Sequence, residues 1–182
     1  PADAQPATAQ VGWLVPWGTQ AAGRFRAAAP RAGLKVQGAD EVMTIFGRRY
    51  ERGTLVVRIA DNPERDAGEL HMMVSHLAEM SGAEVVATGT SYSEEGVSFG
   101  SSSVMSLPAP RIALAWDDPT TSYSAGNTRF VLERQYGYPV EPVRVEHLPA
   151  DELDRFDVVI LPDGGNYANA LGERGVDRLK EW

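Results

Sequence analysis

The sequence predicts an α/β protein of two units, the second a truncated doubly wound parallel sheet, and three observations lead there. Short apolar runs rich in β-branched residues alternate with stretches of helical spacing. A serine-, glycine- and proline-containing stretch between Gly89 and Pro110 lacks any period and divides the chain. Beyond it, the succession strand, helix, strand, helix, strand implies right-handed crossovers between parallel strands.

Taken in order, residues 1–10 (PADAQPATAQ) have neither the charged nor the apolar region of a signal peptide and read as a disordered leader. The unit expected over 11–90 opens with an apolar strand at 11–16, a turn at Trp17-Gly18 and an N-cap at Thr19. A helix at 20–29 follows, weakened by Gly23 and closed by Pro30 and Gly33, then a strand at 34–38. Runs at 42–46 and 54–59 flank FGRRYERG, which reads as the loop of a β-hairpin. Asn62-Pro63 starts a helix in which Leu70, Met73, Val74 and Leu77 recur at helical spacing until Ser81-Gly82 ends it. Met72, Met73 and Met80 read as core filler. A strand at 84–88 closes the unit, and residues 91–109 read as a linker. The second unit, 110–182, has strands at 111–116, 139–145 and 157–161 and helices at 124–136 and 151–156. Residues 176–182 look like the first turns of another helix with no C-cap, so the chain reads as a piece of a longer protein.

Composition removes several function classes. Apolar residues make up 43% and charged residues 23%, as in an ordinary globular protein. With 17 basic and 25 acidic residues the formal charge is −8, the opposite of the basic surface a nucleic-acid partner needs. No apolar run is long enough to span a membrane. The chain has no cysteine, so it contains no disulfide, no thiolate-held zinc and no Cys nucleophile.

Ligands of open parallel sheets bind beyond the carboxyl ends of the strands. Two such ends in the second unit carry suitable chemistry: Asp117-Asp118-Pro119-Thr120 and Pro162-Asp163-Gly164-Gly165-Asn166. The glycines let the backbone turn and offer N–H groups to an anion, while Asp117, Asp118 and Asp163 could hold a divalent cation weakly. The same residues are equally what turns require. His71 and His76 stand five apart, so their rings diverge by about 140° on a helix and do not form a zinc pair. His147 beside Glu146 reads as a surface hydrogen bond, and Arg48, Arg49 and Arg52 as a solvated turn able to grip a carboxylate or phosphate.

The runs GWLVPWGTQAAGRF, ERGTLVVRIADN, PAPRIALAWDD, QYGYPV and FDVVILPDGG together resemble the C-terminal, non-catalytic part of large bacterial zinc carboxypeptidase-like proteins, over nearly the whole of 11–182. The resemblance implies that the second unit is a class I glutamine amidotransferase-like domain of flavodoxin type. It further implies a periplasmic or secreted parent whose own peptidase domain is the partner of this region and carries the catalytic zinc. In that family a His-x-x-Glu pair and a distant His hold the metal. His76-Leu77-Ala78-Glu79 fits the spacing, but lies in the part resembling the non-catalytic region and reads as coincidence. The amidotransferase nucleophile is missing with the cysteines, and the family's Pro-Gly-Gly oxyanion turn carries an extra Asp163 whose charge opposes an oxyanion. The chain by itself is therefore expected to have no catalytic residues and no cofactor. Two alternatives stand beside this reading: a small-ligand-binding α/β module using the polar strand ends, and a receiver-like phosphoacceptor domain built on the three aspartates.

Overall fold

The structure, a computed structural model, describes residues 5–149 and 153–182. The chain divides into two compact units, the first ending at Ala109 and the second comprising Pro110–Trp182.

In the first unit, strand β1 (Gly12–Val15) is buried along its entire length, as a strand covered on both faces must be. Thr19 caps helix α1 (Gln20–Ala28) by accepting a hydrogen bond from Ala22 N. Strands β2 (Gln37–Ala39), β3 (Met43–Ile45), β4 (Arg48–Tyr50) and β5 (Leu55–Arg58) follow, then helix α2 (Ala67–Ser81) and strands β6 (Val86–Thr88), β7 (Glu95–Gly96) and β8 (Val104–Ser106). They form a five-stranded sheet in the order β6-β1-β5-β2-β8 and a three-stranded sheet β4-β3-β7, with every pairing antiparallel.

The alternation of side chains along β1 and β5 explains the layering. Trp13, Val15, Leu55 and Val57 face the helices and share a core with Phe25 of α1 and Leu70, Val74 and Leu77 of α2. Leu14 and Val56 face the other way, into a second core with Met43, Ile45 and Tyr50 of the smaller sheet and with Phe99. Gly12 permits the close approach of β1 and β5, since a Cβ there would stand 2.4 Å from Val57 O.

Four expectations for this unit are corrected. The hairpin is tighter than FGRRYERG suggested: Phe46 and Gly47, both at positive φ, turn β3 into β4, and β5 leaves for the centre of the larger sheet. Helix α2 begins at Ala67 rather than beside Pro63, because Asp66 and Glu69 form a reciprocal capping box. The stretch 91–109 is woven into the unit instead of linking two: β8 extends the larger sheet, β7 the smaller, and Phe99 is fully buried. Ser93, also buried, accepts from Thr44 N, and its one hydroxyl proton is within reach of both Thr44 O and Glu95 O, so it ties the central strand β3 to β7. Among the methionines, Met73 packs partly on the core, but Met72 and Met80 point into solvent.

The second unit consists of β9 (Ile112–Trp116), helix α3 (Ser122–Phe130), which widens to a π-type turn over Val131–Gln135, then β10 (Glu141–Arg144), β11 (Val158–Ile160) and helix α4 (Tyr167–Glu181). Its three strands are parallel in the order β10-β9-β11, so the first strand in sequence is central. Ala113, Leu114 and Ala115 on β9 are fully buried, which gives this short strand its place in the middle. The expected helix at 151–156 is a single 3₁₀ turn at Leu153–Arg155, residues 151 and 152 lying outside the described ones. Helix α4 starts at Tyr167, well before the expected 176, capped by the Asn166 side chain and broken at Gly172, where φ is 66°. Among the described residues no helix is long and apolar enough to cross a membrane.

Candidate functional site

The strand order puts the carboxyl ends of β9 and β11 side by side, so the two candidate loops of the second unit meet. Thr120 and Gly164 form an antiparallel bridge. Around it, Thr121 N donates to Asp163 O at 2.9 Å and Gly165 N to Pro119 O at 2.7 Å. Asp163 N donates to Ser124 Oγ of α3 at 3.0 Å. Tyr167 OH gives its proton to Pro162 O at 2.7 Å, so the 3.0 Å contact with Thr120 Oγ1 must have the threonine as donor. Gly164 sits where no side chain fits: a Cβ would lie 2.6 Å from Pro119 O and 3.0 Å from Thr120 Cα.

These bonds decide what the loop can do. An anion or oxyanion bound at a glycine turn is held by convergent backbone N–H groups. Here the N–H groups of Asp163 and Gly165 are already spent on Ser124 and Pro119, and the exposed Asp163 carboxylate adds like charge. The Asn166 side chain accepts from Asn169 N at 3.1 Å, which makes it the cap of α4. Thr120, Asp163, Gly164, Gly165 and Asn166 are thus brought together as a clasp between β9 and β11.

Asp117 is turned elsewhere. It occupies the left-handed region at φ 61°, and its carboxylate lies 3.1 Å from Arg144 Nε at the carboxyl end of β10. Both side chains are more than half exposed, so the pair contributes little to stability. Asp118 is exposed on the same loop, ahead of Pro119. Among the described residues no group of three or more His, Asp or Glu side chains is placed to hold a metal ion.

The three histidines have different surroundings. His71 stacks on Trp13 at 6.3 Å between ring centroids and its Nε2 lies 2.7 Å from Pro6 O, whereas His76 and Glu79 are exposed farther along α2. His147 stands 3.6 Å from Glu146. The three arginines around the β3–β4 turn are each paired: Arg48 with Glu84 through two bonds, Arg49 with Glu51, Arg52 with Asp40. The Arg48 hydrogen bonds hold the Glu84 carboxyl below its usual range.

Ser124, Arg144 and Tyr167 were not singled out in the sequence. The signal existed for one of them: once the order 2-1-3 is assumed, Arg144 ends the strand beside β9 and faces Asp117. Tyr167 and Ser124 emerge only from the register of the loops. Comparison of the chain with protein families, with curated proteins and with solved structures returned no match.

Proposed function

We propose that this chain is the non-catalytic accessory region of a periplasmic or secreted zinc carboxypeptidase-like protein, serving to pack against and position a peptidase domain. In this reading the parent hydrolyses peptide C-termini with a zinc held in that other domain. The three parallel strands of the second unit would be the core of a flavodoxin-type, amidotransferase-like domain. One observation supports it above the rest: in the Pro162–Gly165 turn, the place where an amidotransferase-like domain would stabilise an oxyanion, the N–H groups of Asp163 and Gly165 are bonded internally. Residues bonded in this way hold two strand ends together and are poorly suited to the ligand-binding or phosphoacceptor alternatives at the same loops. The motifs that carry the resemblance supply β1, α1, β5 and β9, the framework of both units.

The coding sequence upstream of Pro1 tests the proposal. It should encode a signal peptide and a domain with His-x-x-Glu and a later His. An in-frame stop codon followed by an initiator Met immediately before Pro1 would overturn it.

A further inference from the structure

The stretch of helix α2 from His71 to Met80 holds two histidines and three of the chain's five methionines. The structure sorts them into two groups. His71 stacks on Trp13 and contacts Pro6 O, and Met73 packs partly on the core, so both are engaged with the body of the unit. Met72, His76 and Met80 are exposed, the two methionines to 66% and 70%. Among the described residues His76 has no hydrogen bond, ion pair or ring contact.

Their spacing puts the exposed three on one stripe. Each step of four residues advances about 40° around a helix, so Met72, His76 and Met80 lie in line with the imidazole in the middle. Residues one turn apart have Cβ atoms about 5–6 Å from each other, near enough for a thioether and the imidazole to reach one ion between them. The backbone beneath is fixed. Leu70, Val74 and Leu77 on the opposite side of α2 are core residues, the Asp66–Glu69 capping box holds the first turn, and Gly82 in the left-handed region ends the last. Helix α2 itself contributes no Lys or Arg to repel a cation, and Arg24 of α1, which reaches its end, is bonded to Ser81 O at 3.0 Å.

We propose that Met72, His76 and Met80 form a site for a soft monovalent cation of the Cu(I) class, the ion held by His76 together with the thioether of Met72 or Met80. Thioether sulfur is a soft donor that selects Cu(I) over harder ions, and imidazole serves copper equally well. Zinc gains nothing from the thioethers, since it takes Cys, His, Asp and Glu, and among the described residues no three such side chains are placed to hold a metal ion. With one histidine shared between the two methionines, the stripe takes a single ion. The site is independent of the accessory role proposed above, whose zinc belongs to another domain.

Ag(I), the redox-inert ion of the same class, is the probe, added in chloride-free buffer to the whole chain with isotope-labelled methionine methyl groups and followed by NMR. The methyl signals of Met72 and Met80 and the ring signals of His76 should move together and saturate at a single ion per chain, while the buried Met43 stays unmoved. Met105, exposed on β8, is the control for thioether binding without a histidine one turn away. Zn(II) should leave all the methionine methyl signals in place. His76→Gln and the double variant Met72→Leu/Met80→Leu should each weaken Ag(I) binding by about tenfold or more, because even groups behind metal ligands cost that much when removed. All three positions are at the surface of a helix, and an unchanged amide spectrum elsewhere shows that each variant folds. No response of Met72 and Met80, a response of Met105 at the same Ag(I) concentration, an equal response to Zn(II), or undiminished binding in either variant would overturn the proposal.

Discussion

Gly164 and Gly165 are adjacent glycines with opposite expected responses to the same substitution. In Gly164→Ala the new methyl group meets backbone at Pro119 O, 2.6 Å away, and Thr120 Cα, 3.0 Å away, and the ring of the Tyr167 side chain at 3.1 Å. None of these is the flexible end of a side chain, so the β9 and β11 loops must part. Overpacking of this kind costs about 1–3 kcal/mol. Separation also strains the Thr121–Asp163 and Gly165–Pro119 bonds, each contributing about 0.5–1.5 kcal/mol. Some of that loss is the same movement counted twice, so the expected destabilisation of the second unit is about 2–4 kcal/mol. In Gly165→Ala the nearest atom is Pro119 Cβ at 3.5 Å, an ordinary contact, and the backbone is not in the left-handed region. The change should therefore lie within about 0.5 kcal/mol of zero. Native-state hydrogen exchange of the β9 amides across a denaturant series reads the opening free energy of this unit directly. Equal effects of the two substitutions, or a silent Gly164→Ala, would refute the clasp.

Phe99→Ala should destabilise the first unit by about 3–5 kcal/mol, because Phe99 is fully buried in the core shared with Leu14 and Val56; chemical unfolding of the variant checks this, and a loss below about 1 kcal/mol would restore the stretch 91–109 to a linker. The Asp157 carboxyl should titrate below its ordinary value of 3.8, chiefly because the Arg111 side chain and then its backbone N–H bond to it. The folded-state value being the lower, the resulting stabilisation is present above the ordinary Asp range and fades as pH falls through the folded-state value. Carboxyl NMR should show Arg111→Gln moving the titration only part of the way back, since the backbone bond survives.

Much of the second unit is legible in the sequence because its strands are continuous apolar runs. RIALAW and DVVIL both read as parallel strands, of which the central β9 is buried while β11, at the edge, leaves Val158 and Leu161 exposed, and the helix between the first two strands follows from its spacing and Gly137. The first unit is harder because its pairings are non-local. Residues 54–59 are plainly a strand, but that β5 lies between β1 and β2 is decided by cores on both faces, which local pattern does not encode. Strands β7 and β8 are short, serine-bearing edges without a period, and Ser93 or Phe99 acquires meaning only from Thr44 or Leu14. The Asp66/Glu69 capping box was readable, but Asn62-Pro63 is an equally regular helix start and comes first. At the candidate loops the residue types announced a turn and a possible site together. Only the register of Thr120 against Gly164, with Ser124 and Tyr167 behind it, reveals where the hydrogen bonds go.

The central claim, that this chain is an accessory region of a zinc carboxypeptidase-like protein, is tested most directly on the polypeptide as its source organism makes it. Purified through an antibody to this chain, that polypeptide should have a mass well above 19.7 kDa and should trim C-terminal residues from peptides in a chelator-sensitive reaction. The chain of Pro1 to Trp182 alone should show no such trimming. A mature polypeptide of about the same mass as this chain, or a longer one without chelator-sensitive trimming, would contradict the account.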